Sequence, residues 1–475
     1  MPVKRTDKTT MPERNPGTRA HDFVEVNEGY GLSHALFEAE RCLRCQDPIC
    51  IEGCPVRIPI DEFIHKIAAR DLDGAAQILR GANPLSAICG RVCPQEVQCE
   101  LKCHMGNRFR PVAIGHLERF VSDWAREHAA TVEGGPTKPW RKEKVAVVGS
   151  GPSGLVCAGE LARLGHPVTV YEALHAPGGV LRYGIPEFRL PNDVLDSEID
   201  SLRSLGVVFE NNIIIGKTLT LDQLFDEMGY SAVYVGTGAG LPKFLKIPGE
   251  SLNGVYSANE FLTRINLMHA AAFPRADTPM HVGKRVAVIG SGNTAMDCVR
   301  SALRMGAEEG LVVYRRSENE MTARVEEYHH AIEEGVKYHW LTNPIEILGN
   351  EDGWVTGLKC VKMKLGEPDD SGRARPIPIE GSEFVIPLDT VVLSIGTSPN
   401  PLLTKTNKDI KTTSWGGLVV DHTTAETSRR HVYAGGDAVT GAATVILAAG
   451  AGKRAAHGIH EDLVGTPCGA KNECV

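Results

Sequence analysis

Apolar residues recur at helical spacing in the first part of the chain, to about residue 130. The pattern is clearest in three stretches, "EAERCLRC", "IDEFIHKIAARDLDGAAQILRG" and "GHLERFVSDWAREHAA". These stretches contain few β-branched runs, so we expect a helical segment. Residues 131–143, "TVEGGPTKPWRKE", are rich in glycine, proline and charge and predict a linker.

Beyond the linker, the pattern changes to short apolar runs that end in glycine. "KVAVVGSGPSGL" predicts a strand, a turn and a helix, and "KRVAVIGSGNTAM" repeats this order near residue 285. Each copy is followed by a helix and a strand, which is typical of a dinucleotide-binding domain. Two further strands ending in glycine turns, "GTGAG" at 236–240 and "LSIGTSPN" at 393–400, are predicted to close the two domains where the chain crosses between them.

Composition sets the class of protein. The 475 residues are enough for about three domains, and the net charge of −8 argues against a nucleic-acid-binding surface. No apolar run reaches the ~18 residues of a transmembrane helix. The polar N-terminus has no apolar core of a signal peptide. We therefore expect a cytoplasmic protein.

The first glycine turn fits an adenosine without a 2′-phosphate. Gly149, Gly151 and Gly154 form a GxGxxG fingerprint after the apolar run at 145–148. The first glycine allows the turn, the second lets a pyrophosphate approach the backbone, and the third packs helix on strand. About twenty residues on, the next strand ends in Glu172, where a carboxylate can bind ribose hydroxyls.

The second turn differs in charge. It is a GxGxxA fingerprint made by Gly290, Gly292 and Ala295, and its next strand ends in Arg315 and Arg316. A guanidinium can bind a 2′-phosphate that a carboxylate would repel, so we predict NADP(H) at this site. The alternative is that the two arginines form a solvated patch.

Two such domains, the second apparently inserted in the first, predict a flavin reductase in which FAD faces NADPH. Asp437, after two glycines, suits the ribityl chain of FAD, and the following helix start could stabilise negative charge on a reduced flavin. The predicted FAD contacts are Gly149, Gly151, Ser153, Gly154, Glu172, Gly179, Leu181, Gly436, Asp437, Thr444 and Val445. The predicted NADP(H) contacts are Gly290, Gly292, Asn293, Thr294, Arg315 and Arg316.

Flavin reductases of this kind often use a CxxC disulfide, and this chain has no CxxC outside its N-terminal segment. Cys157 and Cys298 lie alone in the two fingerprint helices and are predicted to be core residues. Eight of the thirteen cysteines instead fall between Cys42 and Cys103. We expect this segment to be the electron partner of the flavin.

The spacing of the eight cysteines indicates metal. It is C-x2-C-x4-C-x3-C-P followed by C-x3-C-P-x5-C-x3-C. Dense cysteines in a reducing compartment favour metal over disulfides. The prolines after Cys54 and Cys93, the number of cysteines in each run and the attached flavin core favour two [4Fe–4S] clusters. Structural zinc is the alternative.

Motifs along nearly the whole chain resemble the glutamate synthase small-subunit family. They are "CLRCQDPICIEGCP", "ICGRVCPQEVQCELKC", "VAIGHLERFV", "PGGVLRYGIPEFRLP", "GSGNTAMD", "VYRRSENEM" and "GGDAVTGAATVILAAGAGK". The family shares its iron–sulfur domain and flavin core with dihydropyrimidine dehydrogenase. Within it, residues 256–279 look most similar to the large subunit of electron-bifurcating, NADH-dependent reduced ferredoxin:NADP+ oxidoreductases.

The resemblance implies a ligand set that differs from a simple count of four and four. It assigns one cluster to Cys42, Cys45, Cys50 and Cys103. It assigns the other to Cys54, Cys93 and Cys99 together with the carboxylate of Glu118, in "GHLERF". A carboxylate ligand is harder than thiolate and alters a cluster potential. Cys89 is then a buried thiol without metal.

The resemblance implies an α/β protein in which a helical double [4Fe–4S] domain precedes a disulfide-reductase-like core of two dinucleotide-binding domains, similar to adrenodoxin reductase. We expect residues 1–142 to be the iron–sulfur domain with its linker. The FAD domain is predicted at 143–250 and 390–475, and the NADP(H) domain at 251–389. Cys468 and Cys474 match no motif; a chance pair in the tail is our interpretation, and a third metal or a partner contact is the alternative.

The leading hypothesis is an NADP(H) oxidoreductase subunit that exchanges hydride with FAD and passes single electrons through the clusters to ferredoxin or a partner flavoprotein. The second hypothesis is the electron-input subunit of NADPH-dependent glutamate synthase, which works with a large subunit. The chain lacks the N-terminal cysteine of a glutaminase, since residue 2 is proline. A non-catalytic electron-relay scaffold is the third alternative. We expect a hetero-oligomer, with neither nucleic acid nor a membrane span.

Overall fold

The structure is a computed structural model that describes residues 6–128, 140–369 and 372–465. Its helices are α1 Pro16–Arg19, α2 Leu32–Ala39, α3 Ile60–Ala68, α4 Leu72–Ala82, α5 Ser86–Val92, α6 Ile114–Glu127, α7 Pro152–Arg163, α8 Val180–Tyr183, α9 Asn192–Ser204, α10 Leu221–Asp226, α11 Ala258–Leu262, α12 Asn293–Arg304, α13 Val325–Glu333, α14 Leu402–Thr406, α15 Asp437–Thr440 and α16 Val445–Val464. Short 3₁₀ turns occupy Gln95–Val97, His104–Asn107, Ala270–Ala272 and Glu318–Glu320, and a π-helical turn occupies Thr263–Leu267.

The strands are β1 Val145–Val148, β2 Val168–Tyr171, β3 Val208–Glu210, β4 Ala232–Val235, β5 Leu241–Pro242, β6 Val255–Ser257, β7 Arg285–Ile289, β8 Glu309–Val313, β9 Lys337–His339, β10 Thr342–Gly349, β11 Val355–Pro368, β12 Ala374–Pro378, β13 Phe384–Pro387, β14 Thr390–Leu393, β15 Thr397–Ser398 and β16 Val432–Ala434. The predicted α/β class, with a helical first part, is confirmed.

Helices α1 to α6 make up the first part of the chain, and residues 6–128 contain no strand. Helix α3 shows why the pattern predicts them, since Ile60, Phe63, Ile64 and Ile67 recur on one face and are all buried. The carboxylate of Asp71 caps α4 by accepting a hydrogen bond of 2.9 Å from the Gly74 amide. These short helices leave long connecting loops, which carry most of the cysteines.

The first parallel sheet has the order β16-β4-β1-β2-β3. Strands β1 and β4 are buried along their whole length because helices cover both faces of the sheet. The last strand, β16, comes from the end of the chain, almost 200 residues after β4. The unit therefore closes only after the second domain has been inserted.

The second parallel sheet has the order β6-β14-β7-β8-β9. Strand β14 lies between β6 and β7, so the predicted boundary at residue 390 is wrong and falls inside this sheet. The chain leaves the second sheet only after Leu393. The local sequence pattern misses this boundary because the strands that pair with β14 lie more than 90 residues earlier. The other predicted boundaries, at residues 142 and 250, stay predictions.

An antiparallel sheet and a small ribbon complete the described strands. Strand β11 pairs with β10, β12 and β13, and this sheet stands beside the second parallel sheet. Strands β5 and β15 pair antiparallel, with Thr397 opposite Pro242. This ribbon holds the two crossing segments between the parallel sheets side by side.

A buried carboxylate joins the N-terminal segment to the second sheet. Glu334, directly after α13, lies 3.2 Å from Arg19, 2.8 Å from Arg300 and 2.7 Å from Arg304. Arg19 ends α1, whereas the other two arginines lie on α12. All four side chains are almost fully buried, so the pairing compensates charges that water does not reach.

A buried arginine, Arg189, connects the two dinucleotide-binding units. Arg189, before α9, lies 2.8 Å from Asp297 on α12 and 3.1 Å from Glu327 on α13. The neighbouring carbonyl of Phe188 accepts a hydrogen bond of 2.9 Å from the Val26 amide of the N-terminal segment. All three parts of the molecule therefore meet around this point. Among the described helices, none is long and apolar enough to span a membrane.

Candidate functional site

The first fingerprint turn is shaped as a phosphate cradle. Gly149 has a φ of +99°, and a Cβ on Gly154 would lie 2.0 Å from the carbonyl oxygen of Gly149. Gly151, by contrast, has no heavy atom within 4 Å of where its Cβ would be, outside its immediate neighbours. Open space at this glycine, at the N-terminus of α7, is what the approach of a pyrophosphate requires.

Glu172 lies where the sequence predicts, directly after β2, and it is buried. Its carboxylate accepts hydrogen bonds from the Ser150 amide at 3.0 Å, from the Ser150 hydroxyl, and from the Leu174 amide at 2.9 Å. The carboxylate is thereby fixed beside the glycine turn. Its position suits the ribose hydroxyls of a dinucleotide.

Several of the other predicted FAD contacts gather around α7. The hydroxyl of Ser153 lies 2.5 Å from that of Tyr234, and a Cβ on Gly436 would lie 2.8 Å from the Cβ of Ser153. Gly179 also packs against the glycine turn, since a Cβ on Gly179 would lie 2.8 Å from the Cα of Gly151. The structure therefore brings residues 150–154, 179 and 436 into one place, although they are far apart in the sequence.

The remaining FAD contacts lie at two helix starts. Asp437 begins α15, and burial raises the pKa of its carboxyl to about 6. Thr444 caps α16, which begins at Val445, by accepting a hydrogen bond from the Leu447 amide. Leu181 is buried in α8.

The second fingerprint turn repeats the geometry of the first. Gly290 has a φ of +131°, and Gly292 caps the N-terminus of α12. The side-chain oxygen of Asn293 accepts a hydrogen bond of 2.8 Å from the Arg324 amide, so Asn293 joins the turn to the loop before α13. Thr294 is exposed in the first turn of α12, where a phosphate would lie.

The two adjacent arginines after β8 differ in burial and in their partners, although the sequence pattern gives both the same role. Arg316 is buried and donates hydrogen bonds to the Asp369 carboxylate and, at 2.8 Å, to the Ala374 carbonyl of β12. Arg315 is exposed and has no ion pair within the described part of the chain. Arg316 therefore fixes the β11–β12 hairpin, and Arg315 is the guanidinium available to a ligand. The sequence hides this difference because Asp369 lies more than 50 residues away.

The first predicted set of thiols lines one surface pocket. Cys42, Cys45, Cys50 and Cys103 lie around it and are all partly exposed. Burial, reinforced by the neighbouring thiols of Cys103 and Cys42, raises the pKa of Cys50 to about 12. Thiols that hinder one another's ionisation in this way are suited to a cation that stabilises them as thiolates.

The second predicted set is buried. Cys54, Cys93 and Cys99 lie near the Glu118 carboxyl. Burial is the main cause that raises the pKa of Cys54 and Cys99, the neighbouring Cys89 is the main cause at Cys93, and Glu118 adds to the rise at all three. Burial raises the pKa of Glu118 well above its usual range, and its Oε1 has no hydrogen-bond partner in the described structure. An unpartnered carboxylate oxygen beside three buried thiols fits a metal centre, because a metal would satisfy it.

Cys89 lies beside this second set. Its thiol raises the pKa of Cys93 and, after burial, is the largest cause that raises the pKa of the Glu118 carboxyl. The prediction that Cys89 binds no metal remains a prediction, since the thiol acts on two of the predicted ligands, Cys54 and Cys93.

The sulfurs of the two sets are not packed as closely as those of a zinc site. A tetrahedral zinc site with Zn–S bonds of about 2.3 Å holds its sulfurs about 4 Å apart. Among the described residues, which include all eight cysteines of the segment, no three of these thiols lie within 4.8 Å of one another.

Some contacts of these sites are not evident from the sequence. Ser150 holds Glu172, Tyr234 holds Ser153, and the Nδ1 atom of His104 lies 3.2 Å from the sulfur of Cys45. Only His104 carries a sequence signal, because it directly follows Cys103. Cys468 and Cys474 lie outside the described residues.

A cysteine-rich helical domain followed by two dinucleotide-binding sheets defines the class of iron–sulfur flavoprotein oxidoreductases. Family models agree with this order: "dihydropyrimidine dehydrogenase domain II, 4Fe-4S cluster" matches residues 19–130, and "pyridine nucleotide-disulphide oxidoreductase" matches residues 135–454. The chain belongs to this oxidoreductase family and, within it, is homologous to the small chains of NADPH glutamate synthase.

Three comparisons show the extent of the similarity. The glutamate synthase [NADPH] small chain of Halomonas elongata is 36% identical over 465 residues, which are 95% of this chain and 96% of the relative. The NADP(+)-dependent formate dehydrogenase subunit beta of Moorella thermoacetica is 40% identical over 87% of this chain, which spans only 60% of that relative. The structure of Mycobacterium tuberculosis FprA in complex with NADPH covers 68% of this chain and 85% of its own, with a TM-score of 0.58 and 20% identity, and it supports the fold.

Proposed function

We propose that the chain is the NADP(H)-oxidising or NADP(H)-reducing subunit of a larger complex, with FAD in the first dinucleotide site and two [4Fe–4S] clusters in the helical domain. One observation carries the proposal. Each fingerprint turn is followed by a helix and a strand, and the side chains after these two strands have opposite charges: Glu172 after β2 and the exposed Arg315 after β8. When bound, FAD and NADPH supply hydride exchange and the clusters supply one-electron transfer, which side chains cannot provide.

The side chains of the chain bind and orient these groups. The N-termini of α7 and α12 offer free amides and a positive dipole end to the two pyrophosphates. Glu172 accepts hydrogen bonds from ribose hydroxyls, and Arg315 binds a 2′-phosphate. The N-terminus of α16 stabilises negative charge near the flavin.

The two sets of thiols have different surroundings and therefore different tasks. Cys54, Cys93, Cys99 and Glu118 form a buried centre that is shielded from water. The other set opens at the surface, in a pocket that the side chains of Leu43, Pro48 and Ile49 also line. We assign the surface set to electron exchange with a second protein, because a centre that opens at the surface beside apolar side chains is accessible to a docking partner.

Two partner arrangements follow. The ferredoxin-linked, electron-bifurcating arrangement accounts for the similarity of residues 256–279. The arrangement with a glutamate synthase large chain is favoured by the match in length, since the chain covers 96% of one glutamate synthase small chain. The relatives named above include subunits of larger enzymes, which supports a hetero-oligomer in both arrangements.

The test of the cofactor assignment uses the purified full chain. We expect flavin absorbance, bleaching by NADPH in the absence of oxygen, and about eight iron and eight sulfide ions per chain, as two [4Fe–4S] clusters contain. Absence of flavin or of NADPH-dependent bleaching would contradict the enzyme proposal, and equal rates with NADH would remove the role of Arg315.

The partner is tested by the genomic neighbour and by reconstitution. A neighbouring glutaminase-synthase chain that forms glutamate only when this chain and NADPH are added supports the glutamate synthase arrangement. A neighbouring small flavoprotein with a [2Fe–2S] site, and NADH-dependent ferredoxin chemistry in the mixture, supports the bifurcating arrangement.

A further inference from the structure

His104 begins the 3₁₀ turn at His104–Asn107, directly after Cys103, and none of the roles assigned above uses it. Its Nδ1 atom lies 3.2 Å from the sulfur of Cys45, a residue 59 positions away. His104 and Cys45 also line the same pocket as the other three thiols of the surface set. The imidazole therefore lies in the pocket that these four thiols line, in contact with Cys45.

The turn itself fixes the imidazole. The Gly106 amide donates a hydrogen bond of 2.8 Å to the Cys103 carbonyl, and the Phe109 amide donates one of 2.9 Å to the Met105 carbonyl. Met105 is buried and anchors the turn in the helical domain. His104 is thus placed by backbone bonds on both sides, although its ring is exposed.

The direction of the hydrogen bond follows from the chemistry of the sulfur. A free thiol at Cys45 can donate to Nδ1, but a thiolate that ligates iron has no hydrogen to donate. With a cluster in place, the contact is favourable only if Nδ1 carries the hydrogen and the sulfur accepts it. Hydrogen bonds to ligand sulfurs stabilise the more negative, reduced cluster and so raise its potential.

We propose that His104 is a positioning residue that donates an Nδ1–H hydrogen bond to the Cys45 sulfur and thereby raises the potential of the surface cluster. The proposal rests on the cluster assignment made above. The ring acts on the cluster through Cys45, and it makes the reduced state of the outermost cluster easier to reach.

The test compares variants of the full chain, loaded with iron and sulfide without oxygen. Midpoint potentials are measured at one fixed pH by EPR-monitored redox titration. We expect His104→Ala to lower one of the two potentials while the iron and sulfide content stays at the parent level. His104→Asn, whose amide nitrogen can take the place of Nδ1, is expected to recover most of the potential.

Lys102→Ala is the matched control, since it removes an exposed charge two residues before His104 without removing a donor to the sulfur. Its potential is expected to stay at that of the parent chain. Equal potentials for the parent and His104→Ala would overturn the proposal. A shift in Lys102→Ala as large as that in His104→Ala would also overturn it, because charge alone would then explain the effect.

A variant could lose its cluster, so the contact is also measured in the parent chain, without any substitution. With ¹⁵N-histidine incorporated, pulsed EPR of the reduced chain should show a weak nitrogen coupling to one cluster. Absence of that coupling in iron-loaded parent protein overturns the role of His104 and leaves the proposed function intact. A parent chain that binds no iron contradicts the proposed function itself, so the two failures are distinguishable.

Discussion

In the proposed function, the choice of nicotinamide cofactor depends on Arg315. It is exposed after β8 and, within the described structure, carries no ion pair. We predict that Arg315→Ala weakens NADPH binding by about tenfold or more, because a hydrogen bond to a charged group contributes roughly 1.5–3 kcal/mol. NADH binding should hardly change, and stopped-flow reduction of the flavin at several concentrations of each cofactor measures both.

Lys337→Ala is the control for this prediction. Lys337 is also exposed and begins β9, the strand beside β8, where it pairs with Glu309 at the amino ends of these parallel strands. It should leave both cofactors unaffected. A loss of NADPH affinity in this variant equal to that in Arg315→Ala would mean that general charge, and not a 2′-phosphate contact, is responsible.

Glu118 gives a second prediction at the residue scale. Glu118→Ala removes the buried oxygen that has no hydrogen-bond partner in the described structure, so the buried cluster should lose iron or change its EPR spectrum. Glu118→Gln keeps an oxygen ligand and should have the smaller effect. Glu127→Ala, on the exposed end of the same helix, is the control. Identical spectra in the parent and Glu118→Ala would show that the carboxylate is not a ligand.

At the scale of elements, the contact between α7 and α16 holds the FAD cradle together. A Cβ on Gly452 in α16 would lie 2.1 Å from the carbonyl oxygen of Ser153 in α7. We predict that Gly452→Ala separates the helices, lowers the free energy of unfolding by roughly 1–3 kcal/mol and weakens FAD retention. Urea unfolding and flavin fluorescence measure the two effects.

Gly31→Ala is the corresponding control, because no atom lies within 4 Å of its Cβ position and its φ of −78° suits any residue. It should unfold at the same urea concentration as the parent chain. If Gly452→Ala behaved in the same way, α16 would have room to move and the helix contact would not be essential to the cradle.

The carboxylate of Glu334 gives a prediction for the contact between the N-terminal segment and the second sheet. Glu334→Gln would leave three buried guanidinium groups near one another, those of Arg19, Arg300 and Arg304. Loss of one partner from a buried ionic group costs about 3–5 kcal/mol, so we expect a large fall in the free energy of unfolding at neutral pH.

Glu333→Gln is the matched control, since this neighbouring carboxylate is 47% exposed and pairs with Arg19 alone. Its effect should stay below about 1 kcal/mol. Anaerobic urea unfolding of both variants gives the comparison. Equal effects would mean that the buried position of Glu334 adds nothing to the pairing.

At the scale of the whole molecule, the metal centres and the dinucleotide sheets are expected to respond differently to loss of iron. If Glu118 and the three buried thiols hold iron as proposed, removal of the iron by a chelator leaves these groups without metal, and the helical domain should unfold at a lower temperature. The first sheet keeps its own core, and FAD should remain bound. Calorimetry with flavin fluorescence tests this, and simultaneous loss of FAD and iron would show that the two parts unfold as one.

The sequence by itself predicted the order of the parts and much of the site. Periodicity is a local property, and so are the glycine turns and the cysteine spacings, which is why the helical domain, the two fingerprints and the iron–sulfur class were accessible from it. The carboxylate after β2 and the guanidinium after β8 were predicted for the same reason, since each is fixed by its distance along the chain from a fingerprint turn.

Tertiary structure decided what depends on distant pairs. Strand β14 pairs within the second sheet. Arg316 binds Asp369 whereas Arg315 stays exposed, and His104 contacts Cys45. The fold also gathered Arg19 and Glu334 from opposite parts of the chain. Local patterns record which groups a segment offers, whereas the partner that a buried or charged group finds is determined by packing between segments, and only the folded molecule shows that.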